Sequence, residues 1–195
     1  AAPVVAAAGY TYRAEVAAAA DRAAATADRR RADWVAAQER VDRAWQAFDE
    51  ADRAAREAAK ASAYPLLSKR RKPGENADRQ RYLHHAAAAA CRQREISIAQ
   101  LNDVFAHRGW NPRLHPVVQE GVLRGAIREH LRAGYQTAQE QERIAWQEAE
   151  HAAEALRTLR LRAAAAATRT GAGQPAPDEQ RWAGQWNPAE LPAAA

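Results

Sequence analysis

Cationic side chains are the residues of this chain whose spacing points most directly to chemistry. Lys69, Arg70, Arg71 and Lys72 are consecutive, between Pro65 and Pro73. Arg81, His85 and Arg92 recur at steps of four and seven, and Arg124, Arg128 and Arg132 at steps of four. Such steps place each trio on one stripe of a helix. Cations in rows can neutralise phosphates and release counterions, so a nucleic acid is one candidate partner. The charge is local: residues 65–115 carry ten basic and four acidic side chains, residues 1–64 ten of each, and the whole chain is +5. A basic patch equally suits a solvated surface or an acidic protein, because net charge speaks to partners and not to fold.

Other chemistries fit less well. His84 and His85 are neighbours, and neighbours on a helix diverge by about 100°. Glu148 with His151 is the single Glu-x-x-His pair, whereas a carboxylate-bridged metal centre needs two. One cysteine, Cys91 in an Ala run, rules out a thiolate zinc site and a disulfide within the chain. Ser62, Ser68 and Ser97 lack a nucleophile motif, and neither a phosphate-cradling glycine loop nor a dinucleotide fingerprint occurs. The expectation is a non-enzymatic chain without metal or cofactor. Trp34, Trp45 and Trp146 lie among alanines and are candidate contacts for a partner chain. Trp182 and Trp186, four apart near the C-terminus, would share a face if that segment became helical on binding.

The elements that must carry these residues are helices. Alanine fills 54 of 195 positions, while Val, Ile, Leu and Phe together fill 26. Alanine, Arg, Glu and Gln are good helix formers, and β-branched and aromatic residues are too few for a sheet protein. No stretch of about 18 residues lacks charges, so a membrane span is not expected. The stretch from Arg13 to Ala63 has no Gly or Pro and carries a heptad seam. One seam position holds Ala20, Ala27, Trp34, Val41, Phe48 and Ala55. The other holds Val16, Ala23, Arg30, Ala37, Ala44, Ala51 and Ala58, with Arg30 as its break. Tyr64-Pro65 ends this helix.

A second helix is expected from about Asn76 to Arg94, with Leu83, Ala87 and Ala90 inward. Ser97 and Gln100 form a capping-box pattern that starts a third at Ile98, with Leu101, Val104 and Phe105 as its apolar face and Gly109 as its stop. Trp110 is expected to plug the core. Pro116 opens a last helix to about residue 169, striped by Leu123, Ile127, Leu131, Tyr135, Ala145, Ala149, Leu156 and Leu159. The predicted architecture is all-α: an elongated antiparallel bundle with a coiled-coil arm, two long helices and two shorter ones. Residues 1–12 read as a linker, 13–169 as the bundle and 170–195 as a disordered Pro/Gly/Ala-rich tail. The lack of Met and the linker-like ends lead us to expect a segment of a longer polypeptide. Without a signal peptide or paired cysteines, the expected compartment is the cytoplasm.

The run Arg81-Tyr82-Leu83-His84, the five alanines that follow His85, Ser97-Ile98-Ala99-Gln100-Leu101, His107-Arg108-Gly109-Trp110-Asn111-Pro112 and His115-Pro116 carry a likeness to a known family. With the Arg/Ala helix before it, residues 82–135 resemble C-terminal helical regions of actinobacterial conjugative relaxase–helicases of the TrwC/TraA type. Neither a three-histidine cluster with a nucleophilic Tyr nor a Walker A loop is present, so the resemblance implies a non-catalytic appendage. By the same implication it would bind DNA weakly or recruit other transfer proteins. A structural scaffold with no nucleic-acid role, self-associating through the alanine seam, is the competing expectation.

Overall fold

A computed structural model of the chain describes residues 2–64 and 72–171. Four α-helices and no strand occur among the described residues: α1 (Ala2–Ser62), α2 (Glu75–Arg92), α3 (Ile98–Phe105) and α4 (Pro116–Gly171). None of these helices is long and apolar enough to cross a membrane. α1 begins at Ala2, so the stretch expected to be a linker is helical from its second residue. Pro3 falls in the first turn, where a helix has no use for the missing N–H. The expected tail lies outside the described residues from 172 onward, as do Lys69, Arg70, Arg71, Trp182 and Trp186.

The chain divides into two compact units, residues 1–32 with 147–195, and residues 33–146. In the first, the seam positions Val16, Ala20, Ala23 and Ala27 are half-buried, as are Ala152, Leu156, Leu159 and Ala163 of α4. Arg30, the break in the seam, is exposed, and its guanidinium meets the Glu148 carboxylate at 2.9 Å. Only Ala149 and Ala166 are buried among the described residues of this unit.

The second unit holds the bulky core. Leu83, Ala87 and Ala90 of α2, Val104 of α3, Leu123 and Ile127 of α4 and Ala51 of α1 form one cluster with Ile96. Leu101, Trp110 and Leu131 pack against it, so Trp110 covers the core from the loop that precedes α4. Seam positions Trp34, Val41, Ala44, Phe48 and Ala58 are half-buried, and Ala37, Ala51 and Ala55 are buried. Contacts along α1 pair rising numbers with falling numbers on α4. Trp34 reaches Glu142, Trp45 and Phe48 reach Tyr135, and Gly121 sits against Ala58 and Ser62. A Cβ at Gly121 would lie 3.6 Å from Ser62 Oγ, an ordinary contact, so the two helices leave room there for a methyl group.

The turns decide where the short helices point. Ser97 caps α3 with the full capping box: its Oγ accepts from Gln100 N at 3.1 Å, and Gln100 Oε1 accepts from Ser97 N at 2.8 Å. Both α2 and α3 end in Schellman turns closed without glycine. After α2, Glu95 N donates to Ala90 O and Arg94 N to Cys91 O, with Arg94 at φ 63. After α3, Arg108 N donates to Asp103 O and His107 N to Val104 O, with His107 at φ 55. The stop of α3 is therefore His107, and Gly109 (φ 74) serves the next turn. Phe105 also departs from expectation: with Leu101 and Val104 facing the core, it sits about 100° further round the helix and is 45% exposed. His115 caps α4, its Nδ1 accepting from Val117 N at 3.3 Å, and Pro116 stands at the first helical position.

Two outcomes follow for stability. A left-handed residue with a Cβ is strained, so Arg94→Gly should stabilise the fold by about 0.5–1 kcal/mol in urea unfolding, after the entropic cost of glycine is subtracted. Amides of the first unit, whose buried side chains are alanines alone, should exchange with deuterium well before those of residues 83–90 and 123–131.

Candidate functional site

The predicted cationic residues fall into two settings. On α2, Arg81, His85 and Arg92 are all exposed, opposite the buried stripe of Leu83, Ala87 and Ala90. Arg81 pairs with Asp78 one turn earlier. Arg92 and the following Arg94 have no carboxylate partner among the described residues. Lys72 is exposed just before α2, its backbone N–H donating to Glu75 Oε2 at 3.0 Å. On α4 the three arginines share two carboxylates. Arg124 Nε lies 2.7 Å from Glu120, Arg128 2.8 Å from Glu129, and Arg132 3.9 Å from the same Glu129. Partly exposed pairs of this kind are worth at most about 1 kcal/mol, so they do not prevent an exchange to a phosphate, but they compete with it.

The start of α2 is pinned rather than free. Arg79 donates to the Glu75 carboxylate and, through Nη1, to the Arg113 carbonyl at 2.9 Å, tying α2 to the loop before α4. Beside it lies an open hollow of about 370 Å³ lined by Glu75, Asp78, Arg79, Tyr82, His115 and Pro116. An adjoining hollow of about 250 Å³ lies among Ala58, Ala61, Tyr82, Pro116, Val117 and Glu120. Tyr82 stands between the two. Its hydroxyl donates to Glu120 Oε2 at 3.1 Å, while Glu120 Oε1 takes the bond from Arg124. Burial, then the Glu120 charge, raise the Tyr82 pKa above the usual tyrosine value. Nearby, Gln119 is buried and donates to the Pro112 carbonyl at 2.8 Å; its Oε1 has no partner.

The tryptophans divide as well. Trp34 is half-buried, its indole N–H donating to Glu142 Oε1 at 2.6 Å, so its polar edge is already engaged within the chain. Trp45 packs on Phe48 and Tyr135 with centroids 5.7 and 5.2 Å away, yet 47% of it faces solvent. Trp146 is exposed to a similar degree.

One grouping was not legible from spacing. His84 on α2 and His107 after α3 bring their Nε2 atoms to 3.3 Å, and Phe105 meets the His84 ring edge-on at 5.0 Å. Burial, then the neighbouring His107, lower the His84 pKa, which favours the uncharged imidazole. No three or more His, Cys, Asp or Glu side chains converge as a metal group among the described residues.

Tyr82 yields a pH test with a definite sign. A phenol whose folded pKa is raised contributes stability that is whole below about pH 10 and is lost as pH climbs through the folded value. Urea unfolding above pH 10 should therefore show an alkaline loss that Tyr82→Phe reduces, and tyrosinate absorbance should show one late-titrating group that the variant lacks.

No family model matches the chain, and no curated protein and no solved structure matches it either.

Proposed function

We propose that this chain is a non-catalytic helical interaction module, an accessory region of a DNA-processing protein of conjugative transfer, that holds nucleic acid weakly through its basic middle segment. The observation that carries the reading is the exposed row Arg81, His85 and Arg92 on α2, continued by Arg94, in a segment of net charge +6. Arg92 and Arg94 meet a phosphate without first giving up a carboxylate. The consecutive Lys69, Arg70, Arg71 and Lys72 add four cations just before the same helix. The resemblance to relaxase–helicase C-terminal regions supports the same role and a cytoplasmic setting. In this reading the two long helices form an antiparallel bundle with a coiled-coil arm, which presents the basic helix and offers its flank to a protein partner.

A second reading, a scaffold with no nucleic-acid role, is favoured by the half-exposed Trp45 and Trp146 and by the paired arginines on α4. Large aromatics left half in water are the usual anchors of protein interfaces.

Duplex DNA of arbitrary sequence separates the readings. The nucleic-acid role predicts binding at low salt whose affinity falls steeply as salt rises, by about 0.9 in log–log slope for each phosphate neutralised. Replacing Lys69, Arg70, Arg71 and Lys72 by Ala, or Arg92 and Arg94 by Gln, should flatten that slope. Absence of binding at about 50 mM salt, or affinity unchanged in both variants, overturns it. The scaffold role then predicts association in sedimentation that weakens when Trp45 and Trp146 become Ala, and a concentration-independent monomer argues against it.

A further inference from the structure

Among the described residues, His84 and His107 bring two imidazole nitrogens, atoms of metal-ligating type, face to face at hydrogen-bond distance. The two residues are 23 apart in sequence, and their Nε2 atoms are 3.3 Å apart, with ring centroids at 5.5 Å and planes tilted by 30°. Two nitrogens bound to one tetrahedral ion at about 2.0–2.1 Å lie about 3.3–3.4 Å from each other. We propose that His84 and His107 form a two-imidazole site for a borderline divalent transition ion, zinc above all, with water in its remaining positions.

The surroundings suit that role. Imidazole nitrogen is a preferred ligand for zinc, nickel and copper, while hard cations such as Mg²⁺ want oxygen. His84 is held from one side: Phe105 packs edge-on against its ring, which limits the rotamers it must give up on binding. His107 is exposed, so a modest rotation of its ring turns its lone pair from the facing imidazole onto a shared ion without displacing core side chains. No net proton need leave the pair. The ring that now donates through Nε2–H moves its proton to Nδ1, and both Nε2 lone pairs then serve the metal. The nearest cation in sequence, Arg108, is offset by Asp103 at 2.6 Å, so the ion does not enter beside an uncompensated positive charge. Once bound, the ion ties α2 to the turn that ends α3, and its binding energy adds to the stability of that pairing.

The test uses the full chain and zinc chloride in a buffer that does not chelate. Calorimetric titration should show one ion per chain, and saturating zinc should raise the thermal midpoint by several degrees. His84→Ala and His107→Gly should each weaken binding at least about tenfold and remove the thermal shift, since each removes one of the two ligands. Glycine at position 107 keeps the left-handed turn, where φ is 55, so loss of binding there reports the missing ligand and not a broken fold. His85→Ala and Cys91→Ser should bind as the unaltered chain does. The proposal is overturned if zinc at about 100 µM neither binds nor stabilises, or if His107→Gly binds zinc as tightly as the parent chain.

Discussion

A side chain of one methyl group lets two helix backbones lie close, but it removes little apolar surface from water when it does so. Burial is worth roughly 0.8 kcal/mol per methyl-sized group, against about 1.5–3 kcal/mol for a Leu, Ile or Val side chain. That difference governs how this molecule is held together. Where α1 and α4 meet residues of their own kind, as at Ala149 and Ala166, alanine fixes geometry and adds modest free energy. Where α2 and α3 join them, Leu83, Ile96, Val104, Leu123 and Ile127 supply the bulk that alanine lacks. The short helices are thus the anchors of the second unit, although they make up a minor part of the chain.

Placing those anchors depends on turns more than on helix propensity. The Schellman turn at Arg94 and the capping box at Ser97 satisfy orphan backbone groups at the two ends of the α2–α3 connection, and the Schellman turn at His107 does so at the end of α3. Glycine would be the easier residue at both left-handed positions. At position 107 the residue found there instead is an imidazole, which reaches His84 from a backbone conformation that a glycine-closed turn would have left without a side chain. The same logic sets the start of α4, where the ring nitrogen of His115 takes the place of a serine or aspartate cap.

Charge is distributed with similar economy. Several arginines of the long helices meet a carboxylate three or four residues away, as Arg53 does with Asp49 and Arg143 with Glu140, and such pairs keep an alanine-rich helix solvated while offsetting its charge locally. The end of α2 is different because Arg92 in its last turn and Arg94 in the turn that follows are exposed and have no carboxylate partner among the described residues. A local field survives there, next to a neutral helix and a balanced one.

Much of this was legible in the residues alone. Helix identity, the seam from Val16 to Ala58, the inward faces of α2 and α4, and the Ser97 cap all follow from relations within about a turn or two of chain, which spacing reports directly. Tertiary structure decided what spacing cannot carry: that Ile96 and Gln119 are buried, that Phe105 turns outward onto His84, and that His84 finds His107 rather than His85. The outward Phe105 and the His84–His107 meeting depend on how the chain turns between α2 and α3 and again after α3, where Arg94 and His107 take left-handed conformations that their side chains gave no sign of. Periodicity describes one helix at a time, whereas a pair of imidazoles meeting across a turn exists only once two helices have packed.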